Sequence, residues 1–174
     1  LERATLLSTR RRVLDVGSGD GWLARQFAEA GPELEFVCWD VGYGGSAPPW
    51  QDRISYTAAR PAGQFDLVLM LDVVEHVEND LGFVRDLARS MTPDAHLLFS
   101  VPAWPKLYSS HDAALGHFRR YTPDAARTLL GAAGMRIVRS GGLFHTLLPP
   151  RYLQVASERR ATARRLDAQG KTGD

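Results

Sequence analysis

The 174-residue chain holds one cysteine, so no internal disulfide is possible and its thiol content asks for no oxidising compartment. That residue, Cys38, lies in the apolar run Phe36-Val37-Cys38-Trp39, where a lone thiol reads as a small core residue. Long hydrophobic runs are missing too. No stretch approaches the roughly 20 consecutive apolar residues of a membrane helix, and no charged-then-apolar leader opens the chain. No transmembrane segment is expected, and the cytoplasm is the default location. Charge of one sign is scarce as well. With 21 Lys and Arg against 20 Asp and Glu the formal net charge is +1, so no long-range field draws the whole protein to nucleic acid, and no such partner is expected. No internal repeat is visible. The chain opens at Leu1 without an initiator methionine and enters strand-like sequence early, so it reads as part of something longer. Nothing in the composition specifies an oligomeric state.

What is present is the balance of a folded domain, with 44% hydrophobic and 24% charged residues in a length that fits one core. Short apolar runs alternate with amphipathic stretches, which predicts an α/β fold: a doubly wound, mainly parallel sheet flanked by helices. Six strands are expected, at Arg12 to Val16, Glu35 to Asp40, Ile54 to Ala58, Asp66 to Leu71, His96 to Val101 and Arg136 to Leu143. Trp22, Leu23, Phe27 and Ala30 recur at helical spacing and stop at Gly31-Pro32. Leu81, Val84, Leu87, Ala88 and Met91 form a second helical stripe, with Asn79 or Asp80 as cap and Thr92-Pro93 as its end. Thr122-Pro123-Asp124 opens a third helix that runs to Gly134. The Gly- and Pro-rich stretch Val41 to Gln51 is read as a loop that shortens or displaces the helix between strands two and three. After Pro149-Pro150 a basic helix follows, carrying Arg151, Arg159, Arg160, Arg164 and Arg165. Its plain reading is a solvated surface helix, and its sharper one is contact with an acidic partner or membrane surface.

The most informative segment is Val13-Leu14-Asp15-Val16-Gly17-Ser18-Gly19-Asp20-Gly21, a strand running through a Gly-x-Gly-x-Gly turn into a helix. Glycines at such a turn let backbone approach a ligand, and this end of an open α/β sheet is where nucleotides bind. Asp40 ends the second strand 19 residues after Gly21. That is close to the roughly 20-residue spacing at which a carboxylate accepts from both ribose hydroxyls of a bound nucleotide.

These residues, with Phe65-Asp66-Leu67-Val68 leading into Leu71-Asp72-Val73-Val74-Glu75-His76-Val77, resemble the ordered motifs of the class I S-adenosylmethionine (SAM)-dependent methyltransferases, of the bacterial small-molecule type. The likeness spans about residues 11 to 145. It implies a Rossmann-like fold whose seventh strand is missing or lies beyond the chain end, a core over residues 1–150, and a basic helix and polar tail over 151–174. It implies SAM as cofactor, with S-adenosylhomocysteine as product and a small molecule as acceptor. Asp15, Gly17, Ser18, Gly19 and Gly21 would surround the methionine part, Asp40 would hold the ribose, and Leu71, Asp72 and Val73 would lie near the methionine amino group. Where such families often carry an acid for the adenine amine, this sequence has Thr57-Ala58-Ala59-Arg60.

Methyl transfer needs alignment of nucleophile, methyl carbon and sulfur in a dry site, and a base only when the acceptor is poorly ionised. Asp72, Glu75 and His76 stand at i, i+3 and i+4, so one helical turn would put them on a common face. This pattern is similar to the Glu-x-x-Glu-His Mg²⁺ site of ubiquinone-pathway and small-RNA methyltransferases. The same Glu-His also occurs in metal-free relatives, where it packs or caps the next helix, and the favoured reading is no metal. After strand five, Ser110-His111-Asp112-Ala113-Ala114-Leu115-Gly116-His117-Phe118-Arg119-Arg120-Tyr121 borders the acceptor pocket of such folds. His111 or His117 is the candidate general base. Arg119, Arg120 and Tyr121 either bind an anionic acceptor or brace the next helix. Two alternatives stay open. One is a nicotinamide-dependent oxidoreductase, although the third glycine follows after one residue instead of two. The other is a SAM-binding module without catalysis. Gly170-Lys171-Thr172 looks like the end of a phosphate-binding loop, but Arg165 stands where its first glycine belongs and no strand precedes it.

Overall fold

The computed structural model describes residues 12–44, 52–142 and 148–170. Five strands are β1 (Arg12–Val16), β2 (Glu35–Trp39), β3 (Ile54–Thr57), β4 (Phe65–Leu71) and β5 (Met91–Ser100). Among the described residues the α-helices are α1 (Trp22–Ala30), α2 (Asp80–Ala88), α3 (Ser110–Ala114), α4 (Pro123–Ala132) and α5 (Leu148–Gly170). The strands form one parallel sheet in the order β3-β2-β1-β4-β5. The chain moves outward from β1 through β2 and β3, then returns to β4 on the other side of β1. That reversal opens a crevice beyond the carboxyl ends of the strands, where Val16, Asp40, Leu71 and Ser100 lie.

Both faces of the sheet are covered, so its central strands are apolar at successive positions and do not alternate with polar ones. Leu14, Val16, Val68 and Met70 pack on one face with Val84 and Leu87 of α2 and Leu129 of α4. Val13, Phe36, Cys38, Leu67 and Leu69 pack on the other with Ala24 and Ala28 of α1. Cys38 is fully buried, as its apolar run predicts. The α1 face that packs inward is Leu23, Ala24, Phe27 and Ala28, while Trp22 is exposed. Asn79 is the cap of α2, accepting from the Gly82 N–H, and Thr122 caps α4 by accepting from the Ala125 N–H.

Two expectations are corrected. The stripe through Met91 does not stay helical: α2 ends at Ala88, and Met91 opens β5 opposite Phe65. Met91 packs against the same cluster as Leu81, Val84 and Leu87, so its apolar character continues a helical period across a helix end. The β4–β5 register shifts between Phe65 and Leu67, opposite Met91 and His96, where Pro93 has no N–H for the ladder. The sixth strand expected at Arg136 to Leu143 is also not seen: residues 136–142 form no strand, and Leu143 lies outside the described residues. Val138 is 70% exposed there, without a strand neighbour among the described residues. Val41–Gly44 make a single 3-10 turn; the rest of the expected loop to Gln51, and the tail from Lys171, lie outside the described residues. α5 starts at Leu148, slightly before the expected break at Pro149-Pro150, and buries Val155 against the core. Among the described residues no helix is long and apolar enough to cross a membrane.

Candidate active site

The Gly turn is made by three left-handed residues, with φ of 66° at Gly17, 54° at Gly19 and 74° at Gly21. A Cβ on Gly17 would stand 2.6 Å from Cγ2 of Val73, so this glycine lets the turn close onto the end of β4. A Cβ on Gly19 would meet nothing within 4 Å, which leaves that backbone facing open space. Gly17 N–H donates to the Trp39 carbonyl at 2.7 Å, tying the turn to β2. Asp40 accepts from the Gly19 N–H at 2.9 Å and from the Gly42 N–H at 2.8 Å, one on each carboxylate oxygen. Each oxygen keeps lone-pair capacity for a further donor. Ser18 Oγ and the Tyr43 hydroxyl share a hydrogen bond of 3.0 Å, which brings the loop after β2 against the turn.

Asp15 lies beneath the turn, 4% exposed, and its Oδ2 has no partner among the described residues. Burial, reinforced by the nearby Asp40, pushes its carboxyl up to about 7. A buried carboxyl oxygen without a donor beside an open glycine backbone suits a cationic ligand group. Gly17, Gly19, Asp15 and Asp40 thus meet at one crevice, and Val73 reaches it from β4.

The second group of residues lies around the end of β4 and the segment after β5. Asp72 has a left-handed backbone (φ 54°), and its Oδ1 accepts from Ser100 Oγ at 3.1 Å. Val74–His76 form a single 3-10 turn, so the α-helical face expected for Asp72, Glu75 and His76 does not form. His117 joins Glu75 and His76 instead. One ligating atom from each of these three lies within 4.8 Å of the others. The His76 and His117 rings meet edge to face, with centroids 4.6 Å apart. Glu75 is fully buried, and neither carboxylate oxygen has a partner among the described residues. Burial, with a contribution from Asp72, raises its carboxyl to about 7. Burial and then the neighbouring His117 lower the His76 pKa. The Phe118 N–H donates to the Glu75 carbonyl at 2.7 Å, fastening the segment after β5 to the end of β4. A buried glutamate with two orphaned oxygens beside two imidazoles is a donor set that fits a divalent cation.

His111 is exposed on α3 and outside this cluster. The two arginines and Tyr121 are engaged within the protein. Arg119 donates to Asp80 at 2.9 Å and to the Glu78 carbonyl at 2.7 Å, and the Tyr121 hydroxyl donates to the same Asp80 oxygen at 2.9 Å. Arg120 donates to Asp112 at 2.7 Å and to the Ala103 carbonyl at 3.1 Å. Among its large apolar side chains, this segment leaves Trp104, Leu115 and Phe118 exposed. Sequence reasoning did not pair His117 with Glu75, nor single out Asp112 or Tyr43. The density of chemical side chains between His111 and Tyr121 was the available signal for the first two.

With this geometry in place, comparison with known proteins is direct. The family model of a methyltransferase domain matches residues 1–140. The chain belongs to that family, and its sheet order and Gly turn are those of a class I SAM-dependent methyltransferase. That membership decides against the nicotinamide-dependent alternative. Among sequence relatives, it is similar to the ubiquinone biosynthesis O-methyltransferase of Vibrio campbellii, 32% identical over 103 residues, covering 52% of this chain and 43% of that protein. The protein of the same description from Escherichia coli K12 is 30% identical over 103 residues, covering 52% of this chain and 42% of its own length. The chain therefore spans under half the length of these curated relatives. The fold is also shared with human N-acetylserotonin methyltransferase in complex with SAM, at a TM-score of 0.61 and 17% identity over 80% of this chain and 47% of that one. The mitomycin 7-O-methyltransferase follows with a TM-score of 0.58 and 18% identity, over 79% of this chain and 47% of that one.

Proposed function

We propose that the chain binds SAM in the crevice between the Gly turn and Asp40, and that it catalyses methylation of a hydroxyl oxygen on a small, largely apolar acceptor. The observation that carries this reading is the cluster of Glu75, His76 and His117 at the acceptor side of the crevice. A hydroxyl is poorly ionised at neutral pH, so its methylation gains from a base at the acceptor, whereas a thiolate needs none. Bound SAM supplies an activated methyl on a sulfonium, and the chain supplies placement. Asp40 accepts from the ribose hydroxyls, Asp15 faces the ammonium, and the Gly19 backbone makes room for the amino-acid end. His117 takes the hydroxyl proton as the acceptor oxygen gains the methyl, and S-adenosylhomocysteine leaves. The exposed Trp104, Leu115 and Phe118 give the acceptor an apolar surface, since the arginines of the segment are already paired.

A second reading is favoured by the two orphaned Glu75 oxygens: Glu75, His76 and His117 hold a divalent cation such as Mg²⁺, which would lower the acceptor hydroxyl's pKa in place of a base. Titration with Mg²⁺ and Mn²⁺ separates the two, because the metal reading requires a rise in thermal stability that Glu75→Gln removes. The cytoplasm and a partner set without nucleic acid go with either reading, in keeping with the near-zero net charge.

The test of the main reading is calorimetry with SAM, S-adenosylhomocysteine and NAD, followed by turnover on a panel of hydroxylated small molecules with isotopic SAM. Binding of both adenosyl ligands and label in an ether product are expected. Binding without turnover across the panel would instead establish the non-catalytic module.

A further inference from the structure

Asp112 is fully buried, and every donor around it is built to meet a carboxylate. On Oδ1 it accepts from Arg120 Nε at 2.7 Å and faces His117 Nδ1 at 3.1 Å. On Oδ2 it accepts from Arg151 Nη2 at 2.8 Å, from the Ser109 N–H at 2.9 Å and from Ser109 Oγ at 3.2 Å. Two guanidiniums, those of Arg120 and Arg151, and both Ser109 donors thus meet the carboxylate form of this side chain. An ionised carboxylate has no proton to give, so a neutral His117 facing it must carry its proton on Nδ1. That leaves Nε2 with its lone pair as the nitrogen free for chemistry at the cluster with Glu75 and His76. The His117 backbone is held on both sides, its main-chain N–H donating to the Asp112 carbonyl at 2.9 Å and its carbonyl accepting from the Tyr108 hydroxyl at 2.7 Å.

One of these donors comes from α5, beyond the family-matched residues 1–140. Arg151 also donates to Ser109 Oγ at 2.6 Å, and a helical turn or two on, Glu158 accepts from Ser110 Oγ at 3.0 Å. The basic helix that the sequence left as a surface element is therefore clasped to α3 at its N-terminal end.

We infer that Asp112 is the positioning residue of this site, fixing the His117 ring with Nε2 presented to the acceptor side, and that Arg151 makes α5 part of the working site by holding Asp112 in place. The inference deepens the function proposed above and rests on His117 acting there. It holds alike for a base and for a metal ligand, since both need the Nε2 lone pair.

The test is histidine-selective ¹⁵N labelling of the whole chain and long-range ¹H–¹⁵N correlation at about pH 8, where an ordinary imidazole is neutral. The His117 signals are assigned from their loss in His117→Gln. In the wild type the proton is expected on Nδ1; a proton on Nε2 overturns the inference without any variant. Asp112→Asn is expected to mix the two tautomers and lower kcat roughly 10- to 100-fold, with SAM affinity within about twofold of wild type. The same variant with wild-type tautomer and turnover overturns it as well. Arg151→Met is expected to lower kcat about threefold in the same manner, and wild-type turnover there would remove α5 from the site. Should Asp112→Asn fail to fold, the wild-type spectrum and Arg151→Met decide the question. A His117→Gln protein with full activity would sink the proposed function instead, and the wild-type tautomer would still report on the Asp112 contact by itself.

Discussion

Asp15 and Asp112 are both buried, at 4% and 0% exposure, yet their surroundings are opposite. Asp15 has an oxygen with no donor among the described residues, and its carboxyl is pushed up to about 7. Asp112 accepts from two arginines and a serine beside His117, and is held at about 2. The first belongs to a half of the site made mostly of backbone, glycine and two carboxylates. The second belongs to a half in which Asp112, Arg119, Arg120 and Tyr121 are satisfied by partners within the protein, a frame around Glu75. An incomplete carboxyl marks where something binds, and a saturated one marks what holds the machinery still.

Breaking the comparison means finding a variant in one half that acts like the other. The largest effect is expected from His117→Gln, which should lower kcat by about 10²- to 10⁴-fold while leaving SAM affinity unchanged, as read by single-turnover kinetics and calorimetry. Asp40→Ala should raise the SAM dissociation constant by about 10- to 100-fold, the range of one hydrogen bond to a charged acceptor, with little change in kcat at saturating SAM. Gly17→Ala places a Cβ 2.6 Å from Val73 in a left-handed backbone. A loss of about 1–3 kcal/mol in unfolding free energy by denaturant titration is expected, with weakened SAM binding.

The pH dependence sharpens the contrast further. A carboxyl raised to about 7, such as Asp15, must lose its proton to face an ammonium, so SAM should bind about tenfold tighter per unit as the pH rises toward 7 and level off above it. Asp15→Asn should flatten that profile. Ligand-free stability runs the other way. Asp15 and Glu75 bind protons more tightly folded than unfolded, so their contribution is lost as the pH rises from about 4 to about 7. Asp112 is depressed, so its contribution is lost as the pH falls from about 4 to about 2. The smallest effect is expected for Glu75→Gln, which removes a buried charge and should raise the melting temperature at about pH 8 by a few degrees, near 1 kcal/mol for a chain of this size. Stabilisation of wild type by Mg²⁺ that this variant loses would favour the metal reading.

The sequence was most legible where the site is contiguous. Gly17, Gly19 and Gly21 need left-handed backbone directly after an apolar strand, and their order already specifies a turn, a helix start and a ligand-facing crevice. Asp40 could be placed because a strand end lies at a nearly fixed chain distance from that turn. The acceptor half was less legible. Spacing alone grouped Asp72 with Glu75 and His76, but the chain makes a 3-10 turn there, and a residue 42 positions after Glu75 completes the cluster. The apolar period likewise continued through Met91 because strand and helix bury their side chains in one core, and period cannot reveal where one element yields to the other.

From residue order alone followed the parallel α/β sheet, the nucleotide-type crevice and the methyltransferase likeness, because those rest on local backbone conformation and on the apolar character of buried strands. Only the folded chain decided that His117 meets Glu75 and His76, that Asp112 gathers Arg120 and Arg151, and that the C-terminal helix closes on α3. Such partnerships depend on which distant segments the sheet order brings within a few ångströms, and hydrogen bonding and charge pairing leave no periodic trace along the chain.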